Sequence, residues 1–329
     1  MRPRILAVTA ALALTAPLAA QEEPPGAESV VPSPNEIVAQ ASAEEWVAIP
    51  AEELLSMRLA DDREGNERTV IIQLMPPPFS QGWVENIRTL ARAGWYDDIT
   101  VNRVQDNYVV QWGDPDSEDP AKARALPVGL EATSEADYSA ATIVGAEGSV
   151  VLWHPKEQLF DSYADWTWFE GGWPVASQIS EDTRTLSRWP VHCYSSVGVG
   201  RGYSPDAGTG AELYTVIGHA PRHLDRNIAL VGRIVEGIEH LSSLPRGSGA
   251  LGFYTADEAG KRTPIRSIRV AADLTEDKQP KFEYLSTEGE TFARYAEARA
   301  NRRDPFFIAP AGGADICNIP VPVRRVSAE

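Results

Sequence analysis

Apolar residues along the middle of the chain fall in short runs, and the period of the runs changes. Residues 54–59 and 68–74 read as two strands around the polar turn 61–66; in the second, Val70, Ile71 and Ile72 are β-branched and Gln73 leads into Leu74. After Pro76-Pro77-Pro78 the period becomes helical. Over residues 81–93, Val84, Ile87, Leu90 and Ala91 share one face, and Gly94 ends it. Period two returns in residues 99–115, ITVNRVQDNYVVQWGDP, where Val101, Arg103 and Gln105 alternate with Asn102 and Val104. A turn at Gln105-Asp106-Asn107 leads to a second strand over 108–112, closed by Gly113-Asp114-Pro115 because proline cannot continue a central strand. Further strands are expected at 189–194, 211–217 and 264–271, and a helix at 292–303, where Ala293, Ala296, Ala298 and Ala300 are good helix formers. The pattern predicts a mainly β chain, a closed antiparallel barrel capped by two helices at 84–91 and 235–244.

The ends and the middle do not fit a minimal barrel. Residues 1–20 read as a signal peptide, with Arg2 and Arg4 as a basic start, an apolar core over 5–16, and Leu18-Ala19-Ala20 as a small-residue exit. The core is too short for a membrane span, so the mature chain is expected to be periplasmic or secreted. Residues 21–45 read as a flexible leader, rich in Pro, Glu and Ser at its start, with Asn35 able to cap a short helix before Pro50. A domain over 46–275 follows, interrupted at about 116–187. That interruption carries Tyr163, Trp166, Trp168, Phe169 and Trp173 around Gly171-Gly172. A sugar platform and an insertion packing its rings on the barrel both fit, and the area each ring buries favours packing. Its length implies elements of its own. Residues 276–329 read as an extension that packs on the barrel.

Composition narrows the partners. A net charge of -17 speaks against nucleic acid, whose phosphates need a basic face. Nine Trp and 43% hydrophobic residues suffice for a full core. His219 and His223 have the spacing of helical metal ligands, but Pro221 lies between them, and no metal or cofactor is expected. Val197-Gly198-Val199-Gly200-Arg201-Gly202 is a weak phosphate-loop match and reads better as a glycine-rich turn. Ser195-Ser196 near His192 lacks a nucleophile-elbow setting. The only cysteines are Cys193 and Cys317. In an oxidising compartment they favour a bridge that staples the extension to the barrel, with two buried free thiols as the alternative.

Arg103 heads an apolar hairpin. Buried there it would be costly without a partner; lining a cleft, it would be offered to a ligand beside Tyr108 and Gln111. The hairpin resembles the central signature of the cyclophilins, the peptidyl-prolyl cis-trans isomerases, roughly F-H-R-x-x-x-x-F-M-x-Q-G-G-D-P. Val101-Asn102-Arg103 stands for Phe-His-Arg, Tyr108-Val109 for Phe-Met, Gln111 for Gln, and Trp112-Gly113-Asp114-Pro115 for the end. Val84 to Ala91 is similar to V-x-N-F-x-x-L, residues 210–214 to G-S-Q-F-F, His223-Leu224-Asp225 to W-L-D, and residues 229–237 to V-F-G-x-V-x-x-G. The resemblance covers about 54–273 without the insertion. It implies isomerisation of X-Pro bonds in polypeptide clients by a monomer, with Arg103 as the catalytic donor. It also implies a proline site made of Tyr108, Val109, Tyr214 and Leu224, with Gln111 holding the substrate backbone and Glu212 among the substrate-binding residues. Asn102, Glu212, His223 and Ile228 depart from the family's His, Gln, Trp and His, and Val109 is smaller than Met. A catalytically weak binding module or chaperone is therefore the alternative, and Glu212 has the charge to pair with Arg103, either orienting it or blocking it.

Overall fold

The computed structural model describes residues 31–143, 161–180, 182–183 and 185–326. The expected signal peptide, the start of the leader and part of the insertion lie outside them. Eight strands, numbered in chain order, close a barrel: β1 Leu54–Leu59, β2 Arg68–Leu74, β3 Ile99–Val104, β4 Val109–Gly113, β5 Ser196–Val199, β6 Leu213–Val216, β7 Leu230–Glu236 and β8 Pro264–Val270. Their order is β5-β6-β4-β3-β8-β1-β2-β7, with every pair antiparallel and β7 pairing back onto β5. Closure leaves no open edge. Inward side chains such as Met57, Ile72, Val101, Trp112 and Ile268 are fully buried.

Among the described residues there are four α-helices: α1 Pro34–Ala39, α2 Gln81–Arg92, α3 Glu239–Ser242 and α4 Glu290–Ala300. α2 lays Trp83, Val84, Ile87 and Leu90 into the barrel core, as its 3.6-residue pattern predicts. Asn86, within the helix motif, is buried and grips the start of the insertion. Its Nδ2 donates to the Glu131 carbonyl at 3.0 Å and its Oδ1 accepts from the Glu131 N–H at 2.7 Å.

Three expected boundaries move. The helix expected at 235–244 is a single turn, because β7 continues to Glu236 and Gly237 turns the chain at φ 84°. The strand expected at 189–194 ends at Pro190, and the barrel strand begins only at Ser196, so Cys193 lies in the connection between them. The glycine-rich run 197–202, expected as a turn, begins inside β5. Gly198 sits there because a Cβ would come within 2.3 Å of the Tyr214 hydroxyl.

The additions build a second layer. The insertion forms a four-stranded sheet in the order Ala140–Ile143, Thr185–Pro190, Trp173–Ser180, Trp166–Glu170. Trp46–Ala48, Phe282–Leu285 and Val323–Arg325 form a three-stranded sheet that joins the two ends of the described chain. Ser33 caps α1 through a capping box with Glu36, so residues expected in the leader are ordered from there on. Ile37, Phe169, Trp189, Phe292, Ile316 and Ile319 share one apolar cluster, which draws on leader, insertion, α4 and extension together. Phe169 and Trp173 are buried, which favours packing over an exposed aromatic platform. Cys193 and Cys317 are bonded, with Cα atoms 5.1 Å apart across a sequence separation of 124.

Candidate active site

The β3–β4 hairpin carries a bulge at Asn102: Val101 faces Trp112, and the next pair is Arg103 with Gln111. Strict alternation would put Val101 and Arg103 on one face. The extra residue turns Arg103 outward while Val101 stays in the core. Asn102 Nδ2 donates to the Gly113 carbonyl at 3.1 Å, which ties the bulge to the far end of β4.

Arg103 is held at three points. Its Nε donates to the Leu251 carbonyl at 2.6 Å, its Nη1 to Gln111 Oε1 at 2.9 Å, and its Nη2 to Gln105 Oε1. A guanidinium has five N–H groups, so two remain for a ligand. The rings of Tyr108 and Phe253 lie 5.6 and 5.3 Å from its Cζ. Burial lowers its pKa from the ordinary guanidinium value, against the raising influence of Tyr108 and Glu212.

Beside Arg103 is an apolar patch on the outside of the barrel. Val109, Tyr214 and Val216 are buried in it, and Tyr108, Leu224 and Ile228 pack against them. Registration explains the grouping: Val216 pairs with Val109 and Tyr214 with Gln111 across β6 and β4. Tyr108 reaches His223 Nε2 at 3.4 Å, and the two rings stack with centroids 6.1 Å apart. Every site residue named from the sequence lies in this neighbourhood. One contact differs: Glu212 does not pair with Arg103 directly. Gln111 lies between them, accepting from Arg103 and donating its Nε2 hydrogen to Glu212 Oε1. The Glu212 side chain lies over Gly113 and Gly200, where any Cβ would crowd it. Burial raises the Glu212 carboxyl above its ordinary 4.5, and Glu118 raises it further, while Gln111 and Arg103 act in the opposite direction.

Sequence reasoning missed Gln105, Leu251 and Phe253. Phe253 forms a β-bridge with Arg103, the Tyr254 N–H donates to the Asn102 carbonyl at 3.0 Å, and Gly252 fits only because a Cβ there would meet the backbone of residues 104 and 105. The cluster Gly247, Gly249 and Gly252 was the one signal that a loop makes a close approach somewhere.

A family model described as cyclophilin type peptidyl-prolyl cis-trans isomerase/CLD matches residues 81–270. The chain belongs to the cyclophilin family. Its fold is similar to that of the cyclophilin AquaCyp293 from Hirschia baltica, at 20% identity and a TM-score of 0.58, over 88% of this chain and 99% of that one. A Cryptosporidium parvum cyclophilin type peptidyl-prolyl cis-trans isomerase, solved in the presence of the dipeptide Ala-Pro, matches at 11% identity and a TM-score of 0.35, over 65% of this chain and 98% of that one. No curated protein sequence matches the chain. In this cyclophilin Arg103 and Gln111, the residues expected at the family's arginine and glutamine, are hydrogen-bonded to each other. The departures at Asn102, Glu212 and His223 ring the same patch.

Proposed function

We propose that this cyclophilin isomerises X-Pro bonds at the patch beside Arg103, and that it does so on exported proteins, assisting their folding. The observation that carries the reading is a guanidinium pinned at three points next to an apolar patch, with two N–H groups still free. Isomerisation must cross a barrier of about 18–20 kcal/mol set by amide resonance. In the twisted amide the prolyl nitrogen regains a lone pair, and a donor aimed there stabilises that state alone. One charged hydrogen bond is worth about 1.5–3 kcal/mol, whereas a rate gain of about 10⁵ needs roughly 7 kcal/mol. The remainder falls to the apolar surface of Val109, Tyr214 and Leu224, which would seat the proline ring and remove water from an amide whose planar form is the more polar one. Gln111, fixed by Arg103 and Glu212, is placed to bind substrate backbone.

The export part of the reading is supported by the bonded Cys193 and Cys317, since such bonds persist in oxidising compartments, and by the leader-like residues 1–20. The departures at Asn102, Glu212, His223 and Val109 favour a second reading, a binding module with weak catalysis. A protease-coupled isomerisation assay on a proline tetrapeptide separates them. Acceleration above background supports the enzyme; binding without acceleration supports the module.

Glu212 allows a pH test. A carboxyl that folding raises stabilises the fold only while protonated. Its contribution is complete below its ordinary 4.5 and is lost as pH rises through the folded value. Glu212→Gln is therefore expected to match the wild-type Tm below pH 4.5 and to exceed it at pH 7. It should also raise kcat/KM several-fold, because a negative charge no longer opposes Arg103. Thermal melts across pH, with the isomerisation assay at pH 7, check both. A wild-type advantage in Tm at pH 7 contradicts the assignment.

A further inference from the structure

Behind the apolar patch runs a chain of buried polar groups. The Tyr214 hydroxyl lies 3.0 Å from His192 Nε2, and His192 Nδ1 lies 2.9 Å from Asp225 Oδ1. The same oxygen accepts from the His192 backbone N–H at 3.0 Å. Asp225 Oδ2 accepts from Arg222 Nε at 2.7 Å, and the remaining Arg222 nitrogens hold both oxygens of Asp161 at 2.6 and 3.1 Å. Tyr214, His192, Arg222 and Asp225 are 4, 1, 3 and 7% exposed. Asp161 belongs to the insertion. Asp315, in the extension, stands 3.8 Å from Arg222 and caps Cys317, whose partner Cys193 follows His192.

We propose that His192 is a positioning residue for the proline site, holding the Tyr214 ring through its hydroxyl, and that Asp225 and Arg222 in turn hold His192. The argument rests on the assignment of the patch as the proline site. A carboxylate only accepts, so Asp225 selects the tautomer with the hydrogen on Nδ1, and in that tautomer Nε2 accepts from the tyrosine O–H. Burial keeps the hydroxyl far above its ordinary value, so it stays a donor. The two rings lie nearly parallel, 10° apart, and Gly198 leaves room for the hydroxyl, since a Cβ there would come within 2.3 Å of it. Arg222 and Asp225 also flank Leu224, bonding to each other across its turn. One chain of contacts thus fixes two surfaces of the site, Tyr214 and Leu224. It also explains what the insertion and extension contribute to the site: each supplies a carboxylate facing Arg222.

The test exploits an asymmetry. Removing one partner of a buried hydrogen bond strands the other, whereas replacing both by apolar groups is nearly neutral. His192→Leu should strand the Tyr214 hydroxyl and raise both KM and the dissociation constant of a proline tetrapeptide about tenfold, with kcat within about twofold. Adding Tyr214→Phe to His192→Leu should recover most of the loss in both constants, because the ring that seats the proline is kept and the stranded hydroxyl is gone, while the lost Nδ1 bond to Asp225 is not restored. A support that is merely structural would not be rescued by changing the floor of the site. Should His192→Leu not fold, His192→Met alone and with Tyr214→Phe is read the same way, since a thioether offers the hydroxyl no comparable partner. Wild-type KM and affinity in the single variant, or a double variant no better than the single, overturns the proposal. Peptide affinity is measured separately from turnover. A protein that binds proline peptides without isomerising them therefore fails the enzyme reading and still tests this one.

Discussion

Replacing Arg103 by alanine is expected to lower kcat/KM on an X-Pro tetrapeptide about a hundredfold, the upper part of what one charged hydrogen bond supplies. Residual activity should remain, because the apolar surface of Val109, Tyr214 and Leu224 is untouched. The stability cost should be small: the guanidinium is half-buried, Gln105 and the exposed Leu251 can turn to water, and Gln111 keeps its bond to Glu212. Arg103→Lys should fail nearly as badly. An ammonium is a point charge on a flexible stem; it cannot span three acceptors and still aim a hydrogen at the prolyl nitrogen. Protease-coupled kinetics with thermal melts on the same samples decide this. Full activity in Arg103→Ala would remove Arg103 from the mechanism whatever the fold.

Breaking the Cys193–Cys317 bond is expected to lower Tm by about 10 °C. A bridge closing a loop of about a hundred residues stabilises by about 4–5 kcal/mol in the chain-entropy model, and each kcal/mol shifts Tm by about 2–4 °C in a domain of this size. The bond joins the connection before β5 to the extension, and Ile316 and Ile319 beside Cys317 sit in the cluster that unites leader, insertion and extension. Loss of the bond therefore frees a whole layer, not one loop. Melts of the wild type with and without reductant, and of Cys193→Ala/Cys317→Ala, measure it. Mass spectrometry without reductant should find the intact chain two hydrogens lighter than the dithiol. Identical melts with and without reductant would show that the bond does not stabilise this fold.

Legibility followed the range of the interactions. The β1–β2 hairpin and α2 were visible because their residues carry strong local periods. Arg103, Tyr108 and Gln111 were visible because one hairpin holds them all, and Tyr214 because its strand kept its pattern. The bulge at Asn102 was not visible, since one extra residue leaves the composition unchanged and only the register reveals it. Val191, His192 and Cys193 read as a strand because they are apolar or small in sequence. In the fold the strand ends at Pro190: Val191 keeps one bond to the Pro174 carbonyl, the His192 N–H goes to the Asp225 carboxylate, and Cys193 is half-buried. The loop around Leu251 and the partners of His192 come from residues far away along the chain, and no local pattern encodes such meetings.

The barrel seam has a consequence for synthesis. Met57 of β1 pairs with Ile268 of β8, so about two hundred residues must be made after the first strand before its second edge is covered. At about 5–20 residues per second, that interval lasts about 10–40 s. Until β7 and then β8 are made, both outer edges of the β1–β2 hairpin expose unpaired backbone groups. Arg103 meanwhile lacks the carbonyl of Leu251 and the ring of Phe253. Any factor that holds the nascent chain extended has those seconds in which to act, and the site comes into being only when nearly the last of the barrel has been translated.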